Sequence, residues 1–325
     1  MSTPLTAHRC HVPPLSSHPL FPESLRDHVT FLLTKLWTLE LPISVPSVYT
    51  PPTELLVPTL KSTLRKIGGS RIVQLCAGGT GMARIAETLL REAESPSLGK
   101  LEILLTDPNP TSPSIQLLPP SLTYISTPIL PTCVPPSLTP PPAQPDESLL
   151  PSTPTTPKRG PKKVINTTMG RRAGKQVAQH VAEVQRATSA LRLMVGQFHQ
   201  FSNEECKSIL QDAVKNGHAI CIFDSPPPTL FNLSFQLTLL PLIMCYLSLR
   251  YPTPGRLFFT FFTPVIPCVA VLDSVAASLS SRSEKELKAV VEGVSGKDKY
   301  LWKVETGSVL GGFWEIMWIV GTPRA

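Results

Sequence analysis

The sequence predicts a doubly wound, mostly parallel α/β sheet closed by an antiparallel last strand. Three observations carry that expectation. Short apolar runs alternate with stretches of helical spacing, as strands and crossover helices must in a parallel sheet. Three of those runs end in glycines or an acid, at residues 76–81, at Asp107 and at Asp224. The chain closes on two strand-like runs on either side of Gly311 and Gly312, a hairpin signal.

Taken in order, residues 22–39 place Leu25, Val29, Leu32, Leu36 and Leu39 at helical spacing, and residues 52–66 repeat the pattern before a Gly68-Gly69 stop. The first strand is expected at 71–76, followed by a glycine turn and a helix at 82–94. The second is expected at 100–106, ending at Asp107, and the third at 122–126. A helix at 176–188 leads into a fourth strand at 191–195. Ser202 with Glu205 three residues on is a capping box opening a helix over 203–216, which Gly217 closes. Residues 218–223 form the fifth strand, 284–294 a helix, and 300–309 and 314–320 the closing pair.

Composition narrows the class. The 325 residues include 37 prolines, about 11% against a usual 5% or so, while charged residues are 16% and apolar ones 42%. That balance excludes a disordered polyelectrolyte and a coiled coil, and 18 glycines exclude collagen. Seven scattered cysteines, without a C-x-x-C pair, argue against a disulfide framework or a zinc site. No metal site is expected. Residues 1–20 hold no apolar signal core, so a cytoplasmic chain is the default.

Prolines and charge are concentrated. Residues 108–161 hold 17 prolines, a stretch that cannot build helix or ladder. Residues 151–192 carry nine bases against one acid, which leaves the rest of a +7 chain near neutral. The run Lys158-Arg159-Gly160-Pro161-Lys162-Lys163 reads as a solvated linker; a nuclear-import or nucleic-acid patch, or attraction to anionic lipid, are the sharper alternatives. A nucleic-acid partner, resting on this run alone, is not expected. The expected organisation is a flexible N-terminus (1–21) and one domain (22–325), interrupted by a disordered, proline-rich and basic insert (128–175) and an apolar hairpin insert (226–282).

A strand, a glycine turn and a helix let backbone approach a ligand closely. Gly79-x-Gly81 is followed by Met82, Ala83 and Arg84, so the third glycine of a dinucleotide fingerprint is missing, and no phosphate-binding P-loop exists. The run 72–81, Ile-Val-Gln-Leu-Cys-Ala-Gly-Gly-Thr-Gly, instead resembles the first motif of the class I S-adenosylmethionine-dependent methyltransferases, a seven-stranded, Rossmann-like family. Asp107 is placed like the acid that closes that family's second strand, and the antiparallel seventh strand after a hairpin is another of its marks. The resemblance covers roughly residues 72–323, minus the inserts. It implies S-adenosylmethionine as cofactor, held by Cys76, Ala77, Gly78, Gly79, Thr80, Gly81 and Asp107, with Gln197 and Phe198 after the fourth strand. In the family the acid takes hydrogen bonds from the ribose hydroxyls. The family usually carries an acid in the first strand; Gln74 stands there instead.

His199 follows the fourth strand, where family members place residues facing the methyl group. It is the candidate general base; an ordinary packed histidine between Phe198 and Phe201 is the bland alternative. Asp224-Ser225-Pro226-Pro227 resembles the motif of amino-group methyltransferases but follows the fifth strand and lacks its aromatic residue.

Residues 229–249 are 21 residues without a charge, and 257–272 another 16. The first run is long enough to cross a bilayer core and the second is not. Either a hairpin dips into a membrane or an apolar cap covers the site. Both fit a small lipophilic methyl acceptor, with a membrane surface as a second partner. The expectation is methyl transfer to such an acceptor by a cytoplasmic enzyme, membrane-associated if the insert enters lipid. The alternative is a non-catalytic descendant of the fold that binds a membrane or a protein.

Overall fold

A computed structural model describes residues 14–18, 20–37, 39, 49–69, 71–77, 101–108, 122–135, 138, 190–225, 227–311 and 313–324. The expected helices at 82–94 and 176–188, the glycines 78–81 and nearly all of the basic insert lie outside these residues.

Seven strands form one sheet: β1 (Arg71–Leu75), β2 (Glu102–Leu105), β3 (Leu122–Tyr124), β4 (Ala190–Val195), β5 (Ala219–Asp224), β6 (Tyr300–Leu310) and β7 (Trp314–Pro323). Their order is β3-β2-β1-β4-β5-β7-β6. Strands β1 to β5 pair in parallel, β7 runs antiparallel to β5, and β6 is antiparallel to β7. Strands β1, β4 and β5 are buried along almost their whole length, which is why they read as unbroken apolar runs rather than alternating ones. The sequence order reverses between β1 and β4, so the crevice for a ligand opens at their carboxyl ends.

Both faces of the sheet are covered. Helix α1 spans Glu23–Trp37 and α2 spans Pro52–Ile67, ending at Gly68 with φ +62°. Helix α2 lays Leu56, Leu60 and Leu64 on the face made by Ile72, Leu193, Cys221 and Trp318. On the other face α3 (Asn203–Lys215), with the expected Ser202–Glu205 capping box, packs Ile209, Leu210 and Ala213 against Val73, Met194 and Ile222. The closing hairpin is pinned by a close approach: a Cβ at Gly321 would lie 2.4 Å from the Trp302 ring on the paired strand.

The apolar insert is helical and folds back on itself. Helix α4 covers Leu230–Arg250 and α5 covers Pro254–Phe262, which meets α6 (Val265–Ser280) at a bend of 77°. Helix α7 (Glu284–Glu292) returns the chain to the sheet. One stripe of α4 (Leu240, Ile243, Met244, Leu247) and one of α6 (Ile266, Val269, Ala270) close a third core against Leu25, Val29, Leu32 and Leu36 of α1. The insert therefore rests on an amphipathic helix of the body.

Part of the stretch expected to be the proline-rich insert, residues 128–135 and 138, is described and packs on the body. Ile129 and Val134 are buried in the α3-side core, and the Val134 amide donates to Asp212 at 3.3 Å. Asp212 also meets Arg192 at 2.5 Å, a guanidinium with no exposed side-chain surface. Burial pulls the Arg192 pKa down from its ordinary value, and the Asp212 carboxylate opposes that pull. Asp212→Ala removes the facing charge and is expected to destabilise the fold by about 3–5 kcal/mol in urea unfolding, far more than truncation of the exposed Glu204.

Candidate active site

Past β1 the backbone turns sharply: Cys76 adopts φ +53°, an unusual conformation for a residue with a Cβ. The β1–β2 pairing nevertheless runs on. Thr106 donates its amide and its hydroxyl to the Gln74 carbonyl, each at 2.9 Å, and the Ala77 amide donates to the Thr106 carbonyl at 2.9 Å. Asp107 is thereby held beside Cys76. Burial, with the Asp107 charge added, pushes the Cys76 thiol up to about 12.

Past β4, Gly196 also takes the left-handed region, at φ +63°, and its amide donates to the Phe223 carbonyl at 2.8 Å. A Cβ there would lie 3.3 Å from the Trp37 ring, so glycine is needed both for the turn and for the seating of α1. A short 3-10 turn follows (Phe198–Gln200), and its two leading side chains part company. Phe198 goes under the sheet into the α3-side core, whereas His199 turns into the crevice. The expected cofactor contact Phe198 thus does not line the crevice; its ring supports the turn from below.

His199 is 5% exposed and its Nδ1 lies 2.8 Å from Oδ1 of Asp224, at the end of β5. The same oxygen accepts the Ser225 amide at 2.9 Å. With Asp224 ionised, Nδ1 carries the proton and Nε2 the lone pair. The turn that bears His199 is clamped by Arg282, which donates to the carbonyls of Phe198 (3.2 Å) and Phe201 (2.5 Å) and to Asn203 (3.0 Å).

These elements surround a cavity of about 230 Å³ at the carboxyl ends of β1, β4 and β5. Cys76, Ala77, Gln197 and His199, all expected site residues, line it together. The roof is the apolar insert with α1: Leu33, Leu36, Trp37, Phe235 and Ala277 face inward. Trp314 stacks on Phe235, with ring centroids 5.3 Å apart.

The roof also carries polar groups that sequence reading passed over. Gln236 Nε2 donates to Asn232 (2.9 Å) and Ser278 (2.5 Å), while its buried Oε1 has no partner among the described residues. Asp273 takes the backbone amides of Leu15 at 2.6 Å and Ser16 at 3.3 Å, tying the N-terminal turn to α6. It is the lone acid in residues 225–282, a signal available in the sequence. Burial raises the carboxyl pKa of both Asp273 and Glu315, which line the cavity; no lysine or arginine does so among the described residues.

Strand order, an antiparallel β7 lodged between β5 and β6, and a crevice at the β1–β4 reversal now stand together. This is the class I methyltransferase fold. No family model and no curated protein matches the chain by sequence. Solved structures with some likeness to this methyltransferase fold include a magnesium protoporphyrin IX methyltransferase from Synechocystis with bound S-adenosylmethionine (6% identity, 95% of this chain and 88% of that one, TM-score 0.37). A cyclopropane-fatty-acyl-phospholipid synthase-like protein from Lactobacillus casei aligns at 8% identity over 91% and 99% of the two chains, TM-score 0.36. A protein described as a Zn-dependent alcohol dehydrogenase from Rhodobacter sphaeroides aligns at 9% identity over 92% of this chain and 98% of that one, TM-score 0.39. None reaches 0.5, and such scores do not separate one chemistry from another.

The residues present suit S-adenosylmethionine in two respects. A crevice lined by Asp273 and Glu315, with no lysine or arginine among the described lining residues, favours a sulfonium, and the buried Gln74 Nε2, without a partner among the described residues, offers a donor beside the β1 turn. Gly78, Gly79, Thr80 and Gly81 lie outside the described residues.

Two measurements check these environments. With its pKa near 12, Cys76 stays a neutral thiol through pH 7–9, so iodoacetamide followed by mass spectrometry should modify the exposed Cys133 and Cys268 first. For Asp273 the folded pKa lies above the ordinary 3.8, so its ionisation opposes folding. The stability of the wild type relative to Asp273→Asn should fall as pH rises through 3.8 and level off above the raised value.

Proposed function

We propose that the protein transfers a methyl group from S-adenosylmethionine to a small, lipophilic acceptor that is neutral or cationic and carries a removable proton. The observation that carries this reading is the roofed cavity, into which His199 turns with Asp224 bonded behind it, beneath the apolar side chains of Leu33, Leu36 and Phe235. Bound S-adenosylmethionine would supply an electrophilic methyl group. Asp107, beside Cys76 at the end of β2, is suited to the ribose hydroxyls, and the Cys76–Ala77 turn with Gln197 to the rest of the cofactor.

His199 Nε2 would take the proton from an acceptor hydroxyl, thiol or ammonium, and Asp224 would hold the ring and balance the imidazolium charge that results. The roof of α1, α4 and α6 excludes water, which strengthens that pairing. Asp273 and Glu315 disfavour an anionic acceptor, since each already resists ionisation in this cavity. The unpartnered Gln236 Oε1 rewards an acceptor that carries a hydrogen-bond donor at its far end.

The first test is calorimetric titration with S-adenosylmethionine and S-adenosylhomocysteine. Binding by the wild type and its loss in Asp107→Ala is the expected result; well-folded protein that binds neither ligand sinks the reading. Transfer of a labelled methyl group to phenols, alcohols and amines, with no transfer to matched carboxylates, tests the acceptor class. His199→Gln should lower the transfer rate by about 10²–10⁴-fold while leaving cofactor binding intact. Asp224→Asn, which disturbs the tautomer, should also lower it.

A further inference from the structure

We infer that the outer face of the apolar insert docks, lying flat, on a bilayer surface containing anionic lipid. Eleven of the sixteen large hydrophobic side chains that are exposed among the described residues lie between Leu230 and Leu272. On α4 they form a stripe at helical spacing, Phe231, Leu242, Tyr246 and Leu249, opposite the stripe packed on α1. On α5 the pair Phe258 and Phe261 adjoins Phe262, which is 81% exposed at the bend. A helix apolar all round with only one side covered still has a side to bury.

The geometry favours a helix in the membrane plane over a crossing. Helix α4 is long enough to span, at 21 residues, but its inner stripe is held by α1, whose Glu23, Arg26, Asp27 and Lys35 belong in water. Helix α6 carries Asp273, bonded to the N-terminal turn, and is bent by 77° from α5, so the return limb makes no straight span. What remains for lipid is one face.

Charge selects the occupant. Residues 225–272 contain no acid, and their cations are Arg250 and Arg256. Arg250 is exposed at the end of α4, and Lys35 joins it over the Tyr251 ring, at 5.3 Å from its centroid against 5.6 Å for Arg250. Cations and a tyrosine rimming an apolar face suit the headgroup boundary, where anionic lipid offers Arg250 a counter-charge. A second copy of the chain would bring the same face, with cations and no carboxylate to meet them.

This inference goes beyond the methyl-transfer reading and stands without it. The test is co-sedimentation of the full chain with vesicles of phosphatidylcholine alone and of phosphatidylcholine with phosphatidylglycerol. Binding to the mixed vesicles that weakens with salt is expected, and Leu242→Glu and Phe262→Glu should each reduce it by about tenfold or more. Both positions are exposed, so unchanged circular dichroism, melting temperature and S-adenosylmethionine titration certify the variants. No sedimentation with mixed vesicles overturns the inference. So does a concentration-dependent dimer in gel filtration that the same substitutions dissolve while vesicle binding persists or is absent. Cofactor titration failing alone would leave the vesicle result untouched, which keeps the two readings apart.

Discussion

The hydrogen bond between His199 and Asp224 is the point on which the rest of the structure converges. It exists because β4 and β5 pair in parallel and in register, Val195 against Phe223, so that the turn leaving one strand meets the last residue of the other. Gly196 makes that turn tight, Phe198 roots it in the core, and Arg282 holds its carbonyls from the far end of the insert. A buried imidazole–carboxylate pair is stable only when the donors and acceptors around it are answered. The Ser225 amide answers Asp224, and the insert roofs the pair and, through Arg282, answers the carbonyls of the turn that carries His199.

The roof shows how an apolar element tolerates polar residues. Asn232, Gln236 and Ser278 bond to one another, and Asp273 accepts backbone amides from a segment more than 250 residues away in sequence. A buried carboxylate answered by two amides is held far better than an isolated one, though its raised pKa records the burial that remains. These groups sit on the inner side of helices whose outer side is bare hydrocarbon. The polarity of the insert is thus inverted relative to an ordinary surface helix, with its hydrogen-bonding residues facing in and part of its apolar surface facing out.

Much of this was legible in the chain. Strands β1, β4 and β5 announced themselves as short apolar runs because both faces of a parallel sheet are buried. Helix α3 was marked by Ser202 and Glu205, and the β6–β7 hairpin by its glycines. Cys76, Ala77, Gln197 and His199, which line the crevice, are positions that the resemblance to the methyltransferases implied. What was not legible depended on distance. Asp224 is 25 residues from His199, and only the strand register joins them. Phe198 and His199 are adjacent in sequence, yet the 3-10 turn sends one ring into the core and the other into the crevice. The lone acid at 273 was visible, but its partners at Leu15 and Ser16 were not, since no local pattern links residues so remote.

The third core has a consequence for how the molecule is made. Its two halves, Leu25 to Leu39 and Phe235 to Ala270, lie far apart in the sequence, with the first five strands between them. During vectorial synthesis α1 emerges before the five strands and must wait for the insert that follows them before its apolar stripe finds cover. Strands β1 to β5 can pair meanwhile, but β6 and β7 follow the insert in the chain, so α1 gains its cover, at the loop-closure cost of long-range contacts, before the sheet can be completed. The nascent protein therefore passes through a stage with a five-stranded floor and an uncovered apolar stripe on α1, the stage at which a chaperone or a nearby lipid surface has most to offer it.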